Sequence, residues 1–220
     1  MDKKYIDTNR GLWKGWTAIN KDSKMYDLDG FKAGKNRLES IELEELTDVN
    51  GKTMLHLQCH FGLDTLSWAR MGAKVTGVDF SKETIELARS ICDDINIDAR
   101  FIQSELFDLP NHLDEKFDIV FTSYGVLAWL DDLNKWAELI AKYLKPGGTF
   151  YIVELHPFLS SVSDDGAKME FPYFNIGKPM KFKAEGSYSD PNADFNHDSY
   201  EWFHSLGETV TALLDAGLKP

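Results

Sequence analysis

At 220 residues, with 43% hydrophobic and 27% charged side chains, the chain can bury one sizeable core and is ordinary for a globular protein. A formal charge of −12 with no basic stripe sets aside nucleic-acid partners, because phosphate binding relies on clustered Lys and Arg. No apolar run approaches the ~20 residues of a membrane span, and two cysteines, Cys59 and Cys92, suggest no disulfide framework. With no apolar signal region at the start, a cytoplasmic setting and a small-molecule partner are the default expectation.

Residues 1–50 read as a helical extension. Leu12, Trp13, Trp16 and Ile19 give Asn9–Ile19 an amphipathic helical face. A polar segment with Tyr26, Gly30, Phe31 and Gly34 follows, then a second helix from about Arg37 to Leu46. The extension either covers a sheet edge or forms a lid, and Trp13, Trp16 and Tyr26 are the aromatics placed to serve it.

The stretch Met54–Ser81 organises the rest. An apolar run (Met54, Leu55, Leu57) ends in a loop, Gln58-Cys59-His60-Phe61-Gly62. A helical stretch carries Leu63, Leu66, Trp68, Ala69 and Met71, and a second apolar run, Val75–Val78, finishes on Asp79. This is a βαβ unit. Its helix N-terminus offers free N–H groups, and an acid at the end of the second strand can accept both hydroxyls of a ribose. Asp79 lies 17 residues beyond Gly62, close to the ~20 of that geometry. One glycine, where a dinucleotide turn wants three, argues against a pyrophosphate cradle. Replacing Asp79 is then expected to cost ligand binding and little stability.

These residues resemble motif I and the following strand of class I S-adenosylmethionine-dependent methyltransferases, in a bacterial small-molecule subgroup worded HLQCHFG. Gly62 matches the last motif glycine and Asp79 the ribose acid. His56 stands at the motif's first acid, and Gln58 and His60 at its first two glycines. The resemblance covers roughly Gly51–Leu155. It implies S-adenosylmethionine as cofactor, S-adenosylhomocysteine as product, and Gln58, His60, Phe80 and Thr122 beside them. His56, inside a buried strand, reads as a core histidine.

A helix from Lys82 to Cys92, N-capped by Ser81, precedes a strand at Ala99–Gln103. Ser104–Pro110 then resembles the family's adenine-binding stretch, which makes Glu105 the acceptor for the adenine amino group and Leu106 the backbone donor. Lys116–Thr122 is a buried strand, and Tyr124 follows it on the acceptor side. Asp131 or Asp132 caps a helix ending at Lys145-Pro146-Gly147-Gly148, before a strand over Thr149–Leu155. The sum is α/β: a doubly wound, mostly parallel, Rossmann-like sheet of order 3-2-1-4-5 with its ligand at the carboxyl ends. Four segments are expected: an extension (1–50), a cofactor-binding core (51–155), a substrate-facing insertion (156–198) with room for a hairpin, and a C-terminal helix (199–220).

Either the sequence stops before the family's last two strands or the protein dispenses with them; without them the fifth strand would be an exposed edge that invites a partner chain, a homodimer included. Methyl transfer from a sulfonium needs positioning and water exclusion, with a base for some acceptors. His156, after the fifth strand, is the candidate base beside Tyr124, with His197 and His204 as alternatives. A site of Glu154, His156 and His197 or His204 lacks structural-zinc spacing, so no metal is expected. The competing functions are an impaired or non-catalytic nucleoside-binding module and another transferase or oxidoreductase on the same scaffold.

Overall fold

A computed structural model describes residues 2–163 and 165–219. Three helices come first: α1 (Lys3–Asn20), α2 (Leu28–Lys32) and α3 (Ser40–Glu45). The alternating unit follows as β1 (Thr53–Leu57), α4 (Leu63–Arg70), β2 (Lys74–Asp79), α5 (Lys82–Ile95), β3 (Arg100–Gln103), β4 (Phe117–Ser123), α6 (Leu133–Tyr143) and β5 (Leu144–Val153). A hairpin of β6 (Met180–Glu185) and β7 (Asn196–Glu201) and a final helix, α7 (Leu206–Asp215), complete the described chain.

The main sheet has the order β3-β2-β1-β4-β5 with every pair parallel, as the alternating pattern predicts. Both faces are covered, which explains why its strands read as apolar runs. Leu55, Leu57 and Val120 face α6 in one core with Trp136, Ile140 and Tyr143. Met54, Val75, Ile119 and Phe121 face the other way, against Trp68 of α4. Side chains this fully buried contribute about 1.5–3 kcal/mol each.

Several elements differ from the sequence reading. The helical spacing of Trp202, Phe203, Leu206 and Val210 predicts one helix from residue 199, yet Asn196–Glu201 is a strand. Antiparallel pairing with β6 overrides the period there, and Ser205 with Glu208 forms the capping box that starts α7. The fifth strand begins at Leu144, not Thr149, through an irregularity opposite Phe117–Ile119. Finally, α1 extends back to Lys3 and α5 on to Ile95.

The extension and the hairpin are built into each other. Asn9 bonds the Tyr200 backbone in both directions, its Nδ2 donating to the carbonyl (2.7 Å) and its Oδ1 accepting from the N–H (2.8 Å). Trp16 Nε1 donates to the Gly186 carbonyl at 2.9 Å. Gly11 and Gly15, one turn apart, let α1 lie against the hairpin: a Cβ at Gly15 would meet Phe195 at 2.1 Å, and one at Gly11 would meet His197 at 2.6 Å. Thr17 and Thr84 hydroxyls meet at 2.7 Å and Lys14 pairs with Glu83, which ties this cap to α5.

Candidate active site

A cavity of about 850 Å³ opens at the carboxyl end of the sheet, beneath the cap. Its floor is the Gln58–Gly62 loop with Asp79 and Phe80. Ser104–Phe107 and Ser123–Val126 line its sides, and Trp13, Trp16, Tyr26 and Tyr188 line the rest with Trp129. Of the sequence-predicted residues, Gln58, His60, Gly62, Asp79, Phe80, Glu105, Leu106 and Tyr124 share this one cavity.

The loop keeps the glycine conformation without the glycines. Gln58 has φ +56° and His60 +51°, beside Gly62 at +77°. Left-handed backbone costs a non-glycine residue roughly 1–2 kcal/mol, so these side chains stand where they do against a steric penalty. Asp79 helps to hold the loop: it accepts from the His60 N–H and from the Ser81 N–H, each at 3.0 Å. Two backbone amides therefore depend on this carboxylate besides any ligand. Burial pushes its carboxyl up to about 6. His56, at the motif's acid position, is a buried neutral side chain, lowered to about 3 by burial, with Nδ1 2.7 Å from the Thr65 hydroxyl.

Three buried polar atoms on this wall have no partner among the described residues: Arg37 Nε, His60 Nε2 and Gln58 Oε1. Arg37 was not singled out in the sequence; it is anchored by Nη1 donating to the Met25 carbonyl at 2.9 Å, and its guanidinium lies 5.7 Å from the Tyr26 ring. Buried orphans are rare in folded proteins, and each calls for an explanation, a ligand among them. Two donors and one acceptor match the carboxylate and ammonium of an amino acid.

The opposite end suits a purine. Leu106 opens a 3-10 turn, so its N–H has no partner within that turn. Glu105 pairs with Arg10 of α1 at 2.7 Å, and that guanidinium lies 5.8 Å from the Phe80 ring centre. Part-exposed pairs of this kind contribute about 0–1 kcal/mol, so a ligand can share or displace it at little cost.

Between the ends stands a set of rings in edge-to-face contact. Trp13 lies 5.3 Å from Trp16, 5.4 Å from Trp129 and 5.2 Å from His60, and Trp16 lies 5.2 Å from Tyr188. A directed hydrogen-bond chain crosses them. Asn20 Oδ1 accepts from Ser187 and Ser189, so its Nδ2 donates to the Tyr188 hydroxyl at 2.8 Å. The Tyr188 and Tyr26 hydroxyls meet, and Tyr26 lies 3.2 Å from His60 Nδ1. If each hydroxyl passes its proton along this line, the His60 proton sits on Nε2, the orphan atom. Burial lowers His60 to about 3, so it is a neutral donor and not a base.

Two predicted residues lie elsewhere. His156 is exposed, and its Nδ1 accepts from the Phe158 N–H at 3.2 Å. The chain leaves the sheet at Glu154, whose carboxylate is drawn to the N–H groups of Gly125, Val126 and Leu127, and His156 does not line the cavity. Thr122 faces inward and donates to the Leu57 carbonyl at 3.2 Å, while its neighbour Ser123 lines the cavity. Of the alternative bases, His204 is buried with Nε2 2.8 Å from the Leu130 carbonyl, and His197 packs on Gly11. No group of three metal-ligating side chains occurs among the described residues. Nor is any helix among them long and apolar enough to cross a membrane.

The sheet order and the switch point at β1 define a doubly wound α/β domain, with the acid Asp79 at the end of β2. Residues 55–152 match the family described as "Methyltransferase domain". The chain is 30% identical over 145 residues to a ubiquinone biosynthesis O-methyltransferase of Proteus mirabilis, covering 64% of this chain and 56% of that protein. It is 28% identical over 170 residues to the Vibrio cholerae protein of the same name, covering 76% and 66%. It thus spans between about half and two thirds of those relatives. Among solved structures, "DhpI-SAM-HEP complex" superposes with a TM-score of 0.63 at 19% identity over 99% of this chain and 91% of that one. A methyltransferase from Mesorhizobium loti superposes with a TM-score of 0.57 at 20% identity, covering 86% and 82%. Residues 55–152 are thus similar to a methyltransferase domain, on a fold shared with solved methyltransferases.

Proposed function

We propose that this protein transfers a methyl group from S-adenosylmethionine to a small-molecule acceptor. The observation that carries the reading is the set of orphaned polar atoms on Arg37, His60 and Gln58, lying between the ribose-type acid Asp79 and a ring-lined chamber. In this reading Asp79 holds the ribose hydroxyls, and Phe80, Glu105 and Leu106 hold the adenine. Arg37 Nε and His60 Nε2 donate to the methionine carboxylate, and Gln58 Oε1 accepts from its ammonium. The fit is one of charge and hydrogen-bond polarity, donor to acceptor at each end.

The cofactor, when bound, supplies an electrophilic methyl group and its own leaving group. The chain's residues orient and exclude water. The tryptophans and Tyr188 roof the chamber, which raises the weight of each electrostatic contact inside it. Glu154 fixes the Tyr124–Leu127 turn through three backbone amides, so the wall facing the acceptor is rigid before anything binds. His156 is no base in this scheme. A homodimer joined along the free edge of β5 belongs to the same reading, which sedimentation would test.

Calorimetric titration with S-adenosylhomocysteine, with NAD as control, tests the assignment. Saturable binding of the thioether alone is expected. A folded protein that binds neither ligand would sink the reading and favour a non-catalytic module.

A further inference from the structure

We propose that the methyl acceptor carries a basic nitrogen, held as a cation between Glu201 and the indole rings of Trp13 and Trp129. This rests on the methyl-transfer reading and narrows it to a chemical class.

The first argument is the charge of the walls. Five carboxylates line the cavity, on Glu39, Asp64, Asp79, Glu105 and Glu201, against one cationic side chain, Arg37. Asp79 and Glu105 belong to the nucleoside, and Asp64 lies within the electrostatic reach of Arg37 and Glu39 at the amino-acid end. Once Arg37 is matched to the cofactor carboxylate, no lysine or arginine of the lining remains to meet an anionic acceptor. Glu39 and Asp64 stay together at the amino-acid end, which leaves Glu201 as the carboxylate beside the ring-lined chamber.

The second argument is where Glu201 sits. Its preceding neighbour, Tyr200, is bonded through both backbone groups to Asn9, one turn before Trp13 on α1. Its following neighbour, Trp202, donates its N–H to the Ala128 carbonyl at 2.8 Å, beside Trp129. Glu201 is thereby fixed between the two elements whose indoles lie 5.4 Å apart. Among the described residues its carboxylate accepts from the Ser199 hydroxyl at 2.7 Å, and burial pushes its carboxyl up. A sunken carboxylate answered by a single hydroxyl is costly, and an ammonium would offset that cost. Indole faces attract cations in the same way. A neutral phenol or alcohol would leave Glu201 without a counter-charge.

The chemistry balances. An ammonium has no lone pair, so it first gives one proton to the Glu201 carboxylate and becomes a neutral amine. The amine lone pair forms the new C–N bond as the C–S bond breaks, and that bond's electrons remain on sulfur. The product is a methylated ammonium and a neutral thioether, and the Glu201 proton leaves to solvent.

The test titrates protein loaded with S-adenosylhomocysteine, following its tryptophan fluorescence. The probes are benzyltrimethylammonium, which cannot be methylated further, and its uncharged isostere neopentylbenzene. The cation should bind about tenfold tighter or more. Glu201→Gln should remove most of that preference while S-adenosylhomocysteine binds as before, which also reports a folded variant. Trp129→Leu should weaken the cation more than the isostere. Equal or tighter binding of the isostere, or an unchanged preference in Glu201→Gln, overturns the proposal and leaves methyl transfer standing. Failure to bind S-adenosylhomocysteine at all overturns both.

Discussion

Asp79 offers the sharpest handle on the cofactor site, because its proton and the ligand compete for the same oxygens. Burial raises its carboxyl to about 6 in the free protein, against ~3.9 in an unfolded chain. A raised acid contributes stability that is fully present below about pH 4 and lost as pH rises through 6. By pH 7 the ionised group therefore costs the free fold ~3 kcal/mol. Ribose hydroxyls that donate to the carboxylate stabilise its charged form, so binding should tighten as Asp79 ionises. Above pH 7 the Kd for S-adenosylhomocysteine should be flat. At pH 5 only about one molecule in eleven carries the charge, so Kd should rise about tenfold. Near pH 6 calorimetry in buffers of different ionisation enthalpy should register about half a proton released per ligand bound. Asp79→Asn should weaken binding about a hundredfold, consistent with lost charge-assisted bonds, and should flatten the profile. A wild-type Kd constant from pH 8 to 5, or the same slope in Asp79→Asn, would refute the placement of the ribose on Asp79.

Three further outcomes follow from the same geometry. Arg37→Ala should raise the Kd for S-adenosylhomocysteine ten- to a hundredfold while leaving 5′-methylthioadenosine, which lacks the amino-acid end, unaffected; equal losses for both ligands would place Arg37 elsewhere. Gly62→Ala should lower stability by about 2–3 kcal/mol, read as a drop in Tm, because φ is +77° and the new Cβ would meet the Phe101 ring at 2.6 Å. Asn20→Ala removes the acceptor of Ser187 and Ser189 and the donor to Tyr188. Amide exchange should therefore quicken in the hairpin and not in β1 or β4; uniform quickening would mean that the cap and the sheet open together.

Much of the cofactor side was legible because its information is local. Strand, loop, helix and strand-end acid lie within Met54–Asp79, and the period of the side chains and the 17-residue spacing suffice to read them. The sheet order follows from alternation and handedness. The same locality misled at His156, whose position after a strand suggested the cavity, whereas Glu154 draws the chain toward three amides instead. Arg37 escaped notice because nothing in a polar segment announces an orphaned Nε; only the folded cavity does. The departures at Gln58 and His60 read as lost glycines, while the backbone retains the glycine conformation and uses the side chains. Glu201 was invisible for a different reason. It depends on a hairpin whose second strand carries a partly helical spacing, and pairing decided against it.

The bonds between Asn9 and Tyr200 join residues 191 positions apart. Their order of synthesis has a consequence. On the ribosome α1 emerges before the sheet and waits, with its tryptophans uncovered, while the whole α/β sheet is made. The sheet can form as a unit once β5 has cleared the exit tunnel, since its crossovers are complete by Val153. The roof cannot, because half of it is still untranslated. A nascent chain should therefore acquire a folded but open nucleoside site before it acquires a closed one. Contacts this distant also form slowly. The enclosed chamber is then completed only after the sheet, and a stall before Glu201 would leave the end of the sheet formed with its roof unfinished.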